Sequence, residues 1–190
     1  MRRFPRLSAL ALATGMGASP AAAIDPFFPT FGNNGINVIH YDLDLEVTPG
    51  PGTLDGSAEL LILAQKRLEA FSLDLAGLDV SRVTVNDVPA DFEQANDKLI
   101  VMPREPIRKG SVFKLSVAYA GRPDPIPDPT APGSGLELGW FTYGNASYVV
   151  SEPVGASTFY PANDEPTDVL KAREVSLKDS TELTPRSCSA

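Results

Sequence analysis

A single histidine, His40, and a single cysteine, Cys188, bound the chemistry open to this sequence. Zinc is held by groups of His, Cys and carboxylate donors, and a nucleophilic triad needs an imidazole beside its nucleophile. One imidazole and one thiol cannot assemble a zinc site, a Cys–His pair or a Ser–His–Asp triad that relies on several such residues. No His-Glu-x-x-His and no Gly-x-Ser-x-Gly occurs. Gly133-Ser134-Gly135 lacks the Lys-Ser/Thr and the strand-to-helix setting of a phosphate loop. The sequence therefore predicts no catalytic residue and no metal ligand of its own. His40 falls on the wet side of a predicted strand and reads as a solvated residue. Cys188 has no partner for an intrachain disulfide, so the fold does not rest on one.

Carboxylates are the other reactive groups. Asp42, Asp44 and Glu46 line one side of a strand, where side chains spaced in a row do not converge on one ion, so they read as a solvated face. Asn163-Asp164-Glu165-Pro166-Thr167-Asp168 is denser. Turn and capping chemistry is the favoured reading there, with a calcium site as the alternative. Asn145-Ala146-Ser147 matches a glycosylation acceptor, which matters only in a eukaryotic secretory route.

The elements that must position these groups begin after a distinct leader. Arg2, Arg3 and Arg6 precede the short apolar run Leu7 to Ala18, and Ala21-Ala22-Ala23 offers a small-residue cleavage site. That order predicts a signal peptide over residues 1–23 and export to a periplasm or the medium. The run is too short to span a bilayer. The 190-residue chain is 43% hydrophobic and 21% charged, ordinary for a soluble globular protein. Its formal charge is −8; without the three leader arginines, 13 basic residues face 24 acidic ones, a balance of −11. Nucleic acid and anionic membrane surfaces need clustered Lys and Arg, so neither is expected as a partner.

Period-two patterning dominates residues 24–168. Tyr41, Leu43, Leu45 and Val47 alternate with polar residues, as do Phe71, Leu73 and Leu75, and Phe113, Leu115, Val117 and Tyr119. Leu54 to Ala64, Val83 to Val85, Ala90 to Phe92, Leu99 to Val101, Gly139 to Tyr143 and Ser147 to Ser151 complete about eight or nine short strands. Asn86-Asp87, Asn96-Asp97 and Gly144-Asn145-Ala146 are the turns between them. The fold class is all-β, a sandwich or saddle-like sheets. Gln65 to Ala70 is the best place for a single helical turn, and the Pro-rich Arg122 to Gly135 reads as a long surface loop. Residues 169–190 read as an irregular tail, with Lys171 to Val175 able to begin a strand or a helix.

The order of the segments carries a further reading. Gly32-Asn33-Asn34-Gly35 followed by His40-Tyr41-Asp42-Leu43 resembles the opening of the N-terminal domain in bacterial zinc aminopeptidases of the aminopeptidase N family. Leu54-Asp55-Gly56-Ser57-Ala58 looks like that domain's second strand. Phe71, Leu73, Asp74, Gly77 and Leu78 fit its L-x-x-F-x-L-D-x-x-G-L segment. Val83-Thr84-Val85-Asn86, Tyr119-Ala120-Gly121-Arg122-Pro123, Gly139-Trp140, Glu152-Pro153 and Tyr160-Pro161-Ala162-Asn163-Asp164-Glu165-Pro166 follow in the family order. Ile36 and Asn37 depart from the family's aromatic and acidic residues, and Asp87 stands where Gly is usual.

The resemblance implies a β domain that precedes a thermolysin-like domain. That second domain would carry the zinc, the general-base Glu and the amine-binding motif. It implies one site residue here: Glu152, nine residues before Pro161, would bind the free α-amino group of a peptide substrate. No cofactor is expected in this chain, and zinc only in a separate catalytic domain or chain, its partner. Peptide substrate is expected only in that context. The pattern dissolves after Asp168, as in a truncated, frame-shifted or divided gene product. The alternative reading is a secreted β-sandwich that binds a ligand or protein and is unrelated to peptidases.

Overall fold

The computed structural model describes residues 28–164 and 173–179. The predicted signal segment, Cys188 and Glu165 to Asp168 of the acidic turn lie outside the described residues. Strands account for nearly all regular structure, as the alternation predicts. They are β1 Ile36–Thr48, β2 Thr53–Ala64, β3 Phe71–Asp74, β4 Leu78–Val85, β5 Val88–Pro89, β6 Asp91–Ala95, β7 Lys98–Met102, β8 Val112–Gly121, β9 Ile126–Pro127, β10 Glu137–Tyr143, β11 Ala146–Val150 and β12 Arg173–Asp179. They form a six-stranded sheet in the order β12-β1-β2-β8-β4-β5 and two three-stranded sheets, β3-β7-β6 and β11-β10-β9.

The longest strand shows how the sequence sets which face is buried. Ile36 and Val38 are buried, and so are Tyr41, Leu43 and Leu45. The parity changes because Ile39 is bulged out between Val38 and His40 against β2. A bulge shifts every later side chain to the opposite face, so Tyr41 turns inward and His40 is left half-buried. In β2 the apolar run Leu60 to Leu63 is split the same way: Leu60 and Ile62 are buried, Leu61 exposed. Gly56 lies opposite Tyr119. A Cβ there would come within 2.5 Å of Tyr119 Cζ, so the tyrosine ring needs a glycine beneath it.

The inner face of the large sheet and the sheet β3-β7-β6 bury one common core. Leu43, Leu45, Leu60, Ile62, Leu115 and Val117 belong to the same cluster as Leu73, Leu99 and Val101. Phe71 meets Phe113 edge-on at 5.3 Å, an arrangement that aromatic quadrupoles favour. Each fully buried Leu or Ile contributes about 1.5–3 kcal/mol. The Asn-Asp pairs close two tight turns: Asn86 and Asp87, and Asn96 and Asp97, all have φ between 50° and 64°. Asn and Asp tolerate that left-handed conformation better than other non-glycine residues.

Two expectations are corrected. Gln65 to Ala70 contains no helical turn. Leu68 is instead bridged to Ile107 through reciprocal backbone hydrogen bonds of 2.9 and 2.8 Å and is buried in the core, so pairing outweighs the weak local propensity. The tail 169–190 is not irregular throughout: of the strand or helix that Lys171 to Val175 could begin, the strand forms, as β12, which runs parallel to β1 with Tyr41 opposite Arg173 and Val47 opposite Asp179. Its pairing completes the β1 edge, a long-range effect that local patterning does not reveal.

One buried carboxylate ties the remaining segments together. Asp74 Oδ2 accepts hydrogen bonds from Gly32 N at 3.0 Å, Asn33 Nδ2 at 2.9 Å and Asp164 N at 3.0 Å. Its Oδ1 is ion-paired with Lys98 Nζ, which also donates to the Gly32 carbonyl at 3.0 Å. The backbone of Asp74 bridges Ala162 in both directions, at 2.7 and 2.9 Å. Tyr41 OH accepts from Asn163 N at 2.9 Å. The segment Tyr160 to Asp164 is thereby fixed against β1 and β3. Removing one partner of a buried ion pair costs about 3–5 kcal/mol. Asp74→Ala is therefore expected to lower stability by about that amount in urea unfolding, whereas the exposed Lys109→Ala changes it by less than about 0.5 kcal/mol.

Candidate functional site

Glu152, the one site residue expected, is exposed two residues past the end of β11 and is joined to Pro153 by a cis peptide bond. It follows the β10–β11 hairpin, in which Phe141 and Tyr148 are directly opposed and stack at 5.1 Å. The hairpin is apolar but open: Tyr143 is 82% exposed, Tyr148 52%, Val149 40% and Val150 47%, with Leu136 at 60% just ahead of it. Scattered single apolar residues on a surface are ordinary. Here they are concentrated on one hairpin that leads straight to Glu152.

Beyond Glu152 the chain is held firmly. Val154 is fully buried. Gly155 has φ 117°, and a Cβ there would meet Gly139 N at 2.9 Å, so two backbones touch at this point. Thr158 Oγ1 accepts from Trp140 N at 3.0 Å and donates to the Gly155 carbonyl at 2.8 Å. Asp164 Oδ2 accepts from Gly155 N at 2.9 Å, Ser157 N at 3.2 Å and Ser157 Oγ at 3.0 Å. Of the acidic turn, then, Asp164 performs capping work on the loop, in line with the favoured reading. Its partners were not legible in the sequence, because its donors lie seven to nine residues upstream and its own amide is anchored to Asp74, 90 residues away.

The other candidate residues do not join this site. Asp42, Asp44 and Glu46 point to the open side of the large sheet. Asp42 stands opposite Glu59 and Glu46 opposite Asp55, so the face is acidic. Lys114 tempers it, 2.7 Å from Asp87 and 3.7 Å from Glu59. The hydrogen bond that Lys114 donates to the Asp87 carboxylate, ahead of the nearby charges, raises the Lys114 pKa. Asn145 sits at the exposed tip of the hairpin. Among the described residues no three His, Cys, Asp or Glu side chains come together in a way that could hold a metal ion, and no helix is long and apolar enough to cross a membrane.

Burial raises the pKa of Asp164 above its ordinary 3.8, and the nearby Asp74 carboxylate adds to the rise, against the lowering effect of the hydrogen bonds from Gly155 and Ser157. The folded chain therefore binds this proton more readily than the unfolded chain. The associated stability is complete below the ordinary carboxylate value of 3.8 and is lost as pH rises through the raised value. Asp164→Asn imitates the neutral form, so its stability relative to the parent chain is expected to improve as pH increases across that window. Urea titrations at a series of pH values check this; a difference independent of pH would contradict it.

No protein-family model matches the chain, and no curated protein matches it. Solved structures do. An M1 zinc metallopeptidase from Deinococcus radiodurans has TM-score 0.70 and 35% sequence identity, covering 79% of this chain and 34% of its own. A mutant of that enzyme bound to a Tyr-Ser-Ala substrate has TM-score 0.70 and 36% identity over the same shares. Yeast LTA4 hydrolase in complex with bestatin, at 21% identity and TM-score 0.55, covers 78% of this chain and 24% of its own, and shares the fold. The chain spans about a third of the length of the metallopeptidases it matches. The likeness read from the order of its motifs and the likeness of its fold agree: this chain is homologous to the N-terminal region of the M1 zinc metallopeptidases.

Proposed function

We propose that this chain is the non-catalytic, substrate-side module of a zinc metallo-aminopeptidase, in which Glu152 receives the α-ammonium of a peptide. The observation that carries the reading is the 35% identity and shared fold with a two-domain M1 zinc metallopeptidase, whose complex with L-arginine has been solved. The position of Glu152 supports it: a carboxylate exposed at the end of an apolar hairpin is able to meet a substrate held by a second domain. A carboxylate binds an ammonium through charge-assisted hydrogen bonds, each worth about 1.5–3 kcal/mol. The same homology weighs against a β-sandwich unrelated to peptidases.

Zinc does not fit this chain. Its nitrogen and sulfur donors are one imidazole, His40, half-buried on β1, and one thiol, Cys188, and among the described residues its carboxylates do not gather with them into a group of three. The metal and the hydrolytic groups belong to a catalytic domain, the partner against which the open hairpin would rest. Export through the leader segment would place that assembly in a periplasm or the medium.

The purified, metal-analysed chain is expected to hydrolyse no aminoacyl-nitroanilide, and turnover by it would overturn the proposal. Fused in place of the matching third of the Deinococcus radiodurans enzyme, the chain is expected to support hydrolysis. In that fusion Glu152→Ala should lower kcat/KM about 10–100-fold for free-amine peptides. A fusion equally active with and without Glu152 would remove the residue from the substrate site.

A further inference from the structure

The loop that follows Glu152 is fastened to a single oxygen. Gly155 N, Ser157 N and Ser157 Oγ all donate to Asp164 Oδ2, at 2.9, 3.2 and 3.0 Å. Asp164 is itself buried, and its amide donates to Asp74 Oδ2 at 3.0 Å. The fastening is therefore continuous from the loop, through Asp164, to the ion pair of Asp74 and Lys98. Only Pro153 and Val154 separate Glu152 from the first fastened amide. Pro153 has a ring-fixed φ, and Val154 is fully buried. Little torsional freedom is left between the exposed carboxylate and the core.

Accepting that Glu152 is the ammonium acceptor, we infer that Asp164 is its positioning residue: the Asp164 carboxylate clasps the loop 155–157 and so fixes where Glu152 leaves the hairpin. Asp164 touches no substrate in this arrangement. Its effect is to set the Glu152 backbone before a peptide arrives, so that binding does not have to order it. The chemistry explains the choice of residue. Three donors converging on one acceptor need an oxygen with strong acceptor capacity, and a methyl in its place would leave all three without their acceptor.

The test uses the 190-residue chain with nitrogen-15 relaxation. Amide order parameters at Glu152, Val154 and Gly155 are expected near about 0.85 in the parent chain and below about 0.6 in Asp164→Ala. Those of the Asn96–Asp97 turn should not change. Asp164→Asn keeps an oxygen acceptor and should restore the order. Unchanged order at Glu152 in Asp164→Ala would overturn the inference. If Asp164→Ala does not fold, Ser157→Ala removes one donor and should loosen Glu152 in the same direction, and no change there would equally overturn it. In the Deinococcus radiodurans fusion, hydrolysis of tri-alanine with N-acetyl-tri-alanine as competitor then reads Glu152 itself. KM for the free amine should rise several-fold in Asp164→Ala, with kcat changed less, and recover in Asp164→Asn. A fusion whose KM for tri-alanine equals its Ki for N-acetyl-tri-alanine would refute the ammonium role of Glu152, while the order parameters would still decide the role of Asp164.

Discussion

Lys98 and Asp74 form an ion pair at the junction of four chain segments, and the placement of everything downstream of β11 depends on it. The carboxylate lies in the interior, so it must be neutralised by the ammonium and saturated with hydrogen bonds to be tolerated. Gly32, Asn33 and Asp164 supply those bonds. The consequence is directional. Hydrophobic burial alone is indifferent to small slides of one segment over another, whereas a carboxylate with several fixed donors accepts one arrangement. Leu73 and Leu99 bring β3 and β7 into the core. Asp74 and Lys98, paired across those same strands, decide which backbone lies over their end.

That division explains what could be read in advance. Strand identity follows from alternation, and the alternating runs around Tyr41, Phe71 and Phe113 all become strands. The turns at Asn86-Asp87 and Asn96-Asp97 were legible because their residue types match the positive φ the backbone needs there. The bulge between Val38 and His40 is not legible in the alternation, which reads as continuous through Val47. Illegible were the features made by distant partners. Leu68 looks like part of a helical turn until Ile107 claims its backbone. Arg173 to Asp179 has no strong pattern, yet β1 offers it a free edge in register. Glu152 could be singled out only through a family likeness, because nothing in its own neighbourhood distinguishes it from any exposed glutamate.

Asp74 and Asp164 are the instructive cases. Both stood within stretches that resemble aminopeptidase segments; Asp74 had no evident task there, and Asp164 only a general one, turn and capping. Their roles require knowing that residues 33, 74, 98 and 164 meet, and sequence separation hides that. The Pro-rich stretch Arg122 to Gly135 is similar in kind. It is mostly loop, as its composition demands, but Ile126 and Pro127 pair with β10 and give the hairpin sheet its third strand.

On the proposed function, the open hairpin and the fixed loop behind it would serve one physical requirement. A site shared between two domains would need a surface that the second domain can cover, and Tyr143, Tyr148, Val149 and Val150 are exposed. It also needs a polar group whose position survives before that cover arrives. An isolated glutamate on a mobile loop would lose much of its charge-assisted bonding free energy to the entropy of being ordered. Anchoring the loop to Asp164, and Asp164 to Asp74, moves that ordering cost from the binding step to the folding step, where a core of buried Leu, Ile, Tyr and Phe already favours the ordered state.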